Sequence, residues 1–323
     1  KASAGRPDMA MIVSDRPATV AGIFTTNQVQ AAPVRLDREH LKGRVARAIV
    51  VNSGNANACT GRQGRLDAYR MAAETAHRLG VPTRQVFVCS TGTIGVPLPM
   101  ERVLAGIEQL VPALSADGGE AAANAILTTD TRPKRWTVPV RVGGCEVLVA
   151  GFAKGAGMIE PRMATMLAFL LTDAAVPAGA LQRLLQSAAD ESFNRITVDG
   201  DRSTNDTVLF LANGAASARL SPGRPGWRAF EHAVRETTRA LARMIVADGE
   251  GATRVITIRV RGARSDREAD LAARSVANSL LVKTAWAGPN ANWGRVMDAL
   301  GYSPAKVVES RVSIRFDGLL AVR

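Results

Sequence analysis

The feature that most restricts the fold of this chain is a loop rich in glycine that leads into a short apolar strand. Residues 154–174 read KGAGMIEPRMATMLAFLLTDA. The two glycines allow backbone conformations that other residues disfavour, and Pro161 prevents a helix from running through the loop. Residues 166–171 have the length and composition of a buried strand. Thr165 therefore lies at a loop-to-strand junction, where an ordinary core segment has no need of a hydroxyl.

Thr165 has two interpretations at this junction. A threonine hydroxyl is a weak nucleophile unless a base lies beside it, and a threonine at a chain terminus carries such a base in its own α-amine. That amine has a pKa of about 8, but it is free only if the bond between Ala164 and Thr165 is cut. The histidines suggest no other base, since His77 and His232 fall in segments predicted to be surface helices. The structural interpretation is that Thr165 begins a buried strand, because threonine is a common strand former.

Composition indicates a globular protein of about two domains. The chain has 323 residues, of which 46% are hydrophobic and 22% charged, so it can bury a substantial core. No apolar run reaches the roughly 18 residues of a membrane span, and we expect no membrane partner. The cysteines are few and far apart, which argues against a disulfide framework or a zinc site and favours a cytoplasmic location. These cysteines are Cys59, Cys89 and Cys145.

The net charge of +12 raises the alternative of a basic protein that binds nucleic acid or another anion. However, the basic residues are mostly arginines, and they are scattered along the chain with acidic neighbours. No Lys/Arg-rich block, aromatic RNA-binding motif or zinc-finger spacing occurs. We therefore expect no nucleic-acid partner, and salt-sensitive retention on nucleic acid is the observation that would favour this alternative.

Strand and helix patterns alternate along the chain and predict an α/β or α+β fold. Strands are predicted at residues 9–14, 18–24, 47–52, 86–89, 136–142, 146–152, 166–171, 208–212, 254–260 and 307–316. Helices are predicted at residues 66–79, 99–110, 121–127, 178–192, 227–246 and 266–279. The strands on either side of residues 143–144 read as a β-hairpin that leads to Lys154.

Polar loops between these elements are the candidate site segments. Residues 53–61 are small and polar, and they form either a solvated loop or a packed support for a site. The strand at 86–89 opens into Ser-Thr-Gly, where Thr91 and Gly92 provide the hydroxyl and the unobstructed backbone N–H of an oxyanion hole, although a simple turn has the same composition. Residues 128–134 carry a cluster of hydroxyls. Glu250 lies between two glycines in an open loop.

The segment at residues 196–207 contains three aspartates that suggest either a metal loop or structural hydrogen bonding. These are Asp199, Asp201 and Asp206. The twelve-residue calcium pattern with its final glutamate is absent, so we favour structural hydrogen bonding and predict no metal site.

The sequence of residues 154–174 resembles, nearly residue for residue, the self-cleavage segment of the ornithine acetyltransferase (ArgJ) family, the bifunctional glutamate N-acetyltransferases. Other strings are similar to motifs of the same family: VNSGNANACTG, STG, TTDT-x-PK, D-x-D-x-STND-T, DGEGA and VANSxLVKTA with ANWGR. The resemblance covers nearly all of the chain, and these motifs are its most specific parts. The resemblance implies that the bond between Ala164 and Thr165 is cut autocatalytically and that Thr165 becomes the acetyl-carrying nucleophile.

The resemblance also implies roles for residues outside the cleavage segment. It assigns the oxyanion hole to Thr91 and Gly92. It assigns substrate contact to Thr128, Lys154, Thr165 and Glu250. Spacing does not distinguish Thr128 from its neighbour Thr129, which is a close second.

The implied reaction moves an acetyl group from N2-acetyl-L-ornithine to L-glutamate through an acetyl-threonine, in a ping-pong sequence without a cofactor. The resemblance does not decide whether acetyl-CoA also serves as a donor. Within the enzyme class, an N-terminal-threonine aminopeptidase or amidohydrolase of similar fold uses the same nucleophile and is the alternative. Family members assemble their two fragments into heterotetramers.

The fold implied by the resemblance is a four-layer αββα sandwich of the N-terminal-nucleophile type in residues 1–253. A smaller C-terminal α/β domain follows in residues 254–323. Cleavage would give an alpha chain of residues 1–164 and a beta chain of residues 165–323. The family usually continues beyond the position of Arg323 and places further substrate contacts there, so the resemblance does not establish that this length of chain is active alone.

Overall fold

The computed structural model describes residues 5–160 and 166–323. The chain divides into two compact units, Lys1–Glu250 and Gly251–Arg323. The first unit covers almost all of the segment predicted to form the catalytic domain, residues 1–253.

Seven strands within the described part of the first unit form one sheet in the order β3-β2-β1-β7-β6-β5-β4. The pairs β2–β3 and β6–β7 are parallel, and the other neighbouring pairs are antiparallel. The strands are β1 (Met9–Phe24), β2 (Val45–Asn55), β3 (Val86–Thr93), β4 (Lys134–Val142), β5 (Cys145–Lys154), β6 (Leu167–Thr172) and β7 (Thr207–Ala212).

The long strand β1 divides the sheet into two halves. Its residues 9–13 pair with β2, and its residues 19–24 pair with β7, with a shift of register between Val13 and Ala18. An irregularity of this kind bends a strand. The prediction of two strands separated by a turn at residues 15–17 is therefore wrong, because the chain stays extended there and accommodates Pro17 at the irregularity, where a proline is tolerated.

Six α-helices occur in the described residues of the first unit. They are α1 (Ala32–His40), α2 (Gly61–Leu79), α3 (Met100–Leu110), α4 (Gly119–Ala125), α5 (Ala178–Asp190) and α6 (Trp227–Ala247). None of the helices in the described ranges has the length and apolar character needed to cross a bilayer.

Three buried apolar clusters show the layers of the first unit. The middle cluster joins Phe87 of one half of the sheet to Phe169 of the other half. A second cluster packs α2 and α3 against the outer face of β2 and β3, and a third packs α5 and α6 against the outer face of β4 to β7. Successive residues of β7 alternate between the middle and the outer cluster, as the two-residue period of a strand requires. The result is the αββα sandwich that the family resemblance implied.

The second unit contains three helices and a strand pair among its described residues: α7 (Asp266–Asn278), α8 (Leu280–Ala287), α9 (Trp293–Gly301), β8 (Ile314–Phe316) and β9 (Leu319–Val322). Val276, Val282, Val296 and Ile314 form its small core. Each helix begins at a side chain that accepts a backbone N–H, which satisfies one of the unpaired donors at a helix start.

Two strand predictions in the second unit are wrong. Residues 254–260 alternate in the manner of a strand, but no described strand pairs with them, and Val255 and Ile256 are exposed. Of residues 307–316, only Ile314–Phe316 is a strand. The other predicted strands and helices are observed with ends that differ by a few residues. The elements α1, α8, α9 and β9 were not predicted.

Candidate active site

Three of the predicted site residues meet around the buried ammonium group of Lys154. Lys154 is the last residue of β5, and its side chain lies inside the first unit. Its Nζ donates to Thr128 Oγ1 at 2.6 Å and to Thr91 Oγ1 at 3.4 Å. The fold thus brings together residues from β3, from β5 and from the loop after α4. Thr129, the alternative to Thr128, is exposed.

The ammonium group fixes the direction of both hydrogen bonds. A lysine ammonium has hydrogens to donate and no lone pair with which to accept. The hydroxyls of Thr91 and Thr128 are therefore acceptors towards Lys154, and each hydroxyl proton is free to point at a different acceptor. Both threonines are in this way prepared to donate to an oxygen atom of a ligand or to a developing oxyanion.

The charge of Lys154 depends on its neighbours. Burial lowers the pKa of Lys154 below its ordinary value, the carboxylate of Asp130 opposes this shift, and the ammonium of Lys134 reinforces it. The Asp130 carboxylate lies 3.7 Å from Lys154 Nζ. Asp130 is thus the anion that favours the charged form of this lysine.

A buried ion network holds Asp130 in place. Lys134 is fully buried, and its Nζ lies 2.6 Å from Asp130 Oδ1 and 2.6 Å from Asp248 Oδ2. Burial acts to raise the pKa of Asp130, but the ammonium groups of Lys154 and Lys134 outweigh it, and the pKa lies below its ordinary value. The network joins the loop after α4 to the segment that follows α6.

Asp130 also binds the backbone on both sides of the lysine cluster. Its carboxylate accepts from the N–H of Thr128 at 3.1 Å and from the N–H of Gly155 at 2.7 Å. The sequence prediction missed Asp130, Lys134 and Asp248, although all three lie in the motifs that supplied Thr128 and Glu250. Their charged side chains within these motifs were the available signal, but nothing in the sequence showed that they are buried.

Gly92 cannot be replaced by a larger residue without moving the backbone of the neighbouring strand. Its φ of 132° lies in a region that L side chains rarely adopt, and a Cβ at this position would lie 2.6 Å from the backbone N of Asn55. The close approach of β3 to the end of β2 therefore requires glycine, and it presents the backbone next to Thr91.

The loop at residues 53–61 supports this strand end and is not a solvated loop, since Ser53, Ala56, Asn57 and Ala58 are buried and, of its nine residues, only Cys59 and Gly61 are exposed. Ser53 Oγ donates to the carbonyl oxygen of Ala125 at 2.7 Å, and Asn57 Nδ2 donates to the carbonyl oxygen of Gly64 at 2.9 Å. The interpretation as a packed support for the site is the one that the structure favours.

Glu250 lies beside the glycine-rich loop rather than beside Lys154. Its N–H donates to the carbonyl oxygen of Ala156 at 2.9 Å, and a Cβ at Gly157 would lie 2.5 Å from Glu250 Oε1. Gly157 thus leaves room for the Glu250 carboxylate. Within the ranges that the structure describes, no hydrogen bond or ion pair joins this carboxylate to Lys154, Thr91 or Thr128.

Ala164 and Thr165, predicted to form the cut bond and the nucleophile, lie outside the described residues. The chain that leads towards them is fixed by Asp199, whose carboxylate accepts from the N–H of Met158 at 2.6 Å and from the N–H of Ile159 at 3.0 Å. Asp199 therefore makes the structural hydrogen bonds that were favoured over a metal role.

The layered αββα fold, with its hydroxyl and ammonium groups at the ends of β3 and β5, places the chain among α/β sandwich proteins that have a polar internal site. A model of the ArgJ family matches residues 1–323, and the chain belongs to this family.

Similar proteins share most of their length with this chain. The arginine biosynthesis bifunctional protein ArgJ of Geobacter sulfurreducens is 52% identical over 320 residues, which cover 99% of this chain and 81% of the relative. The protein of the same name from Symbiobacterium thermophilum is 51% identical over 321 residues, which cover 99% and 80%. A solved structure, ornithine acetyltransferase complexed with ornithine from Mycobacterium tuberculosis, shows 38% identity and a TM-score of 0.44, covering 50% of this chain and 86% of that chain.

Proposed function

We propose that this chain is an acetyltransferase of arginine biosynthesis that moves the acetyl group of N2-acetyl-L-ornithine to L-glutamate. Membership of the ArgJ family and the bifunctional arginine-biosynthesis proteins that share about half of its residues support the reaction. The observation that carries the proposal is the contact of Lys154 with both Thr91 and Thr128, because it prepares two hydroxyls as donors at one point.

The first proposed step is self-cleavage. Thr165 Oγ attacks the carbonyl carbon of Ala164, the bond between that carbon and the Thr165 nitrogen breaks, and the nitrogen takes up a proton. Water then hydrolyses the resulting ester and frees both the Thr165 hydroxyl and its α-amine. That amine, with a pKa of about 8 in an ordinary environment, is a suitable base near neutral pH.

The second proposed step is acetyl transfer by a ping-pong sequence. The α-amine of Thr165 takes the proton from Oγ as Oγ attacks the acetyl carbonyl of the donor. Collapse of the tetrahedral intermediate expels the donor amine, which gains the proton, and leaves acetyl-Thr165. The α-amine of glutamate then attacks this ester, and the reverse proton movement restores Thr165.

Thr91 and Gly92 would stabilise the oxyanion in each half-reaction. The Thr91 hydroxyl accepts from Lys154 and keeps its own proton for the oxyanion, and Gly92 offers a backbone N–H. Removal of one such donor costs about 3 to 4 kcal/mol in other enzymes. The ammonium of Lys154 adds positive charge behind the Thr91 hydroxyl.

Substrate contact is proposed for Thr128, Lys154 and Glu250. Donor and acceptor are both amino acids with a carboxylate, which matches the hydroxyl of Thr128 and the ammonium of Lys154. The exposed carboxylate of Glu250 matches the side-chain amino group of ornithine. We further propose that acetyl-CoA is a second donor, that no metal or other cofactor takes part, and that the two fragments assemble as a heterotetramer in the cytoplasm.

The proposed function is tested by assaying N-acetylglutamate formation from N2-acetyl-L-ornithine and glutamate, with Thr165→Ala and Thr165→Ser as variants. We expect Thr165→Ala to stay uncut and inactive and Thr165→Ser to be cut and partly active. Supplying acetyl-CoA in place of acetylornithine tests the second donor, and release of free acetate separates transfer from hydrolysis. Full transfer by uncut Thr165→Ala would overturn the proposal.

A further inference from the structure

The turn before β7 connects the two sides of the proposed site. It comprises residues 203–206, whose side chains are all buried. The turn is held to the start of the unit by its backbone, since Thr25 N–H donates to the carbonyl oxygen of Asp206 at 2.9 Å and Ala31 N–H donates to that of Thr204 at 2.9 Å. It is therefore a rigid element whose side chains have fixed directions.

Asn205 binds the oxyanion side of the site. Its Nδ2 donates to the carbonyl oxygen of Ser90 at 2.8 Å and to that of Ala56 at 2.6 Å. Its Oδ1 accepts from Thr204 Oγ1 at 2.5 Å. Ser90 directly precedes Thr91, so one amide hydrogen of Asn205 holds the strand that carries the oxyanion donors, and the other holds the loop that follows β2.

Asp206 binds the nucleophile side of the site. Its Oδ1 accepts from the N–H of Met166 at 3.1 Å, and Met166 directly follows Thr165 in the chain. The side chain is fully buried, and Oδ2 has no hydrogen-bond partner among the described residues. A charged carboxylate with so few donors would be costly inside a protein.

The neutral form of Asp206 agrees with its surroundings. Burial raises the pKa of Asp206 well above its ordinary value, and the N–H of Met166, the nearby hydroxyls of Thr25 and Ser203 and the charge of Lys154 act against this shift without reversing it. A neutral carboxyl group still accepts from Met166 through its carbonyl oxygen.

We propose that Asn205 and Asp206 are positioning residues that together set the spacing between the oxyanion donors and the strand that carries the nucleophile. The inference rests on the proposed function. Consecutive Cα atoms are about 3.8 Å apart, so two neighbouring side chains bonded to the two sides leave little freedom in that spacing. Misplacement by about 1 Å can slow a reaction on the order of a hundredfold.

Two isosteric replacements with opposite expected results test this inference. Asn205→Asp keeps the shape of the side chain but removes both donors and places a carboxylate against two carbonyl oxygens. Asp206→Asn keeps the acceptor for Met166 and the neutral charge, whereas Asp206→Ala removes the acceptor. Asn213→Asp is the matched control, since Asn213 Oδ1 accepts from Ala215 N–H at 3.1 Å beyond the other end of β7 and an aspartate retains that acceptor.

The readouts are the rate of fragment formation by mass spectrometry, kcat and KM for acetyl transfer, and the thermal unfolding of each variant. We expect Asn205→Asp and Asp206→Ala to slow fragment formation and kcat on the order of a hundredfold while KM changes by less than about threefold. Asp206→Asn and Asn213→Asp should stay near the wild-type rates. If Asn205→Asp does not fold, the two Asp206 variants still decide.

Wild-type rates in folded Asn205→Asp would overturn the inference while leaving the proposed function intact. Asp206→Asn as slow as Asp206→Ala would overturn it as well, because the charge of the carboxylate would then be required. A wild-type chain that is neither cut nor active in transfer would refute the proposed function, and the inference with it.

Discussion

Replacement of Lys134 by methionine should destabilise the first unit far more than the same replacement at Lys42. Lys134 is fully buried, with its ammonium 2.6 Å from Asp130 and 2.6 Å from Asp248. Lys42 pairs with Glu39 at 2.5 Å, but both of these side chains are exposed. Methionine has a similar length and packs well in irregular spaces, so the difference between the two variants reports the charge.

The magnitude follows from what remains after each replacement. Removing one partner of a buried pair costs about 3 to 5 kcal/mol, because a charge is left buried without its partner. Asp130 would keep its contact with Lys154 and its hydrogen bonds from two backbone N–H groups. Asp248 would keep its hydrogen bonds from the N–H and hydroxyl of Thr131. We therefore expect a loss at the lower end of the range, about 3 kcal/mol. An exposed pair such as that of Lys42 contributes about 0 to 1 kcal/mol.

Urea unfolding at neutral pH measures the free energy of unfolding of each variant. Repeating the measurement at low pH tests whether the carboxylates that pair with Lys134 cause the difference. The pKa values of Asp130 and Asp248 are lowered in the folded chain, although burial acts to raise both. At Asp130 the charges of Lys154 and Lys134 outweigh burial, and at Asp248 the hydrogen bonds from Lys134 and Thr131 do so. Stabilisation by such carboxylates is present above the unfolded value of about 3.9 and is lost as the pH falls through the folded value. The loss of unfolding free energy in Lys134→Met, relative to wild type, should therefore become smaller in acid. Equal losses for both variants at pH 7, or a loss for Lys134→Met that becomes larger in acid, would refute this reasoning.

Three further predictions concern substitutions of single residues. Gly92→Ala should lower kcat on the order of a hundredfold, measured by acetyl transfer, whereas Gly119→Ala, in open space at the start of α4, should leave kcat unchanged. Gly157→Ala should raise KM more than it lowers kcat, because its methyl group displaces the Glu250 carboxylate. Steady-state kinetics with both substrates measure the two constants. A larger effect on kcat than on KM would mean that Glu250 acts in the chemical step. Burial raises the pKa of Asp37, so the folded chain keeps a proton that the unfolded chain loses above about 3.9. Asp37→Asn should accordingly gain stability relative to wild type as the pH rises from 3 to 8 in thermal unfolding, and a difference independent of pH would contradict this.

The sequence predicted most strands and helices of the first unit well because each of these has a strong period and a clear end, whereas the short helix α1 was not predicted. It failed at β1, where residues 15–17 have the composition of a turn but continue the strand, since pairing to β2 and β7 outweighs local preference. It failed again at residues 254–260, where the strand pattern is present and a described partner strand is not. A pattern identifies a segment that suits a sheet, but a strand also requires a neighbour.

The same limit applies to the candidate site. Motifs located Thr91, Thr128 and Lys154, and the structure brings these three together. The contact of Lys134 with Asp248 joins positions 114 residues apart, and spacing along the chain carries no information on such a pair. A lone lysine in a polar motif reads as a solvated residue until the fold shows that it is buried.

Mass spectrometry of the purified chain after incubation with N2-acetyl-L-ornithine alone tests whether Thr165 is the acetyl carrier. We expect fragments of residues 1–164 and 165–323, with an acetyl group on the peptide that begins at Thr165 and loss of that group when glutamate is added. An uncut chain that transfers acetyl at the full rate, or an acetyl group on any other residue, would contradict this expectation.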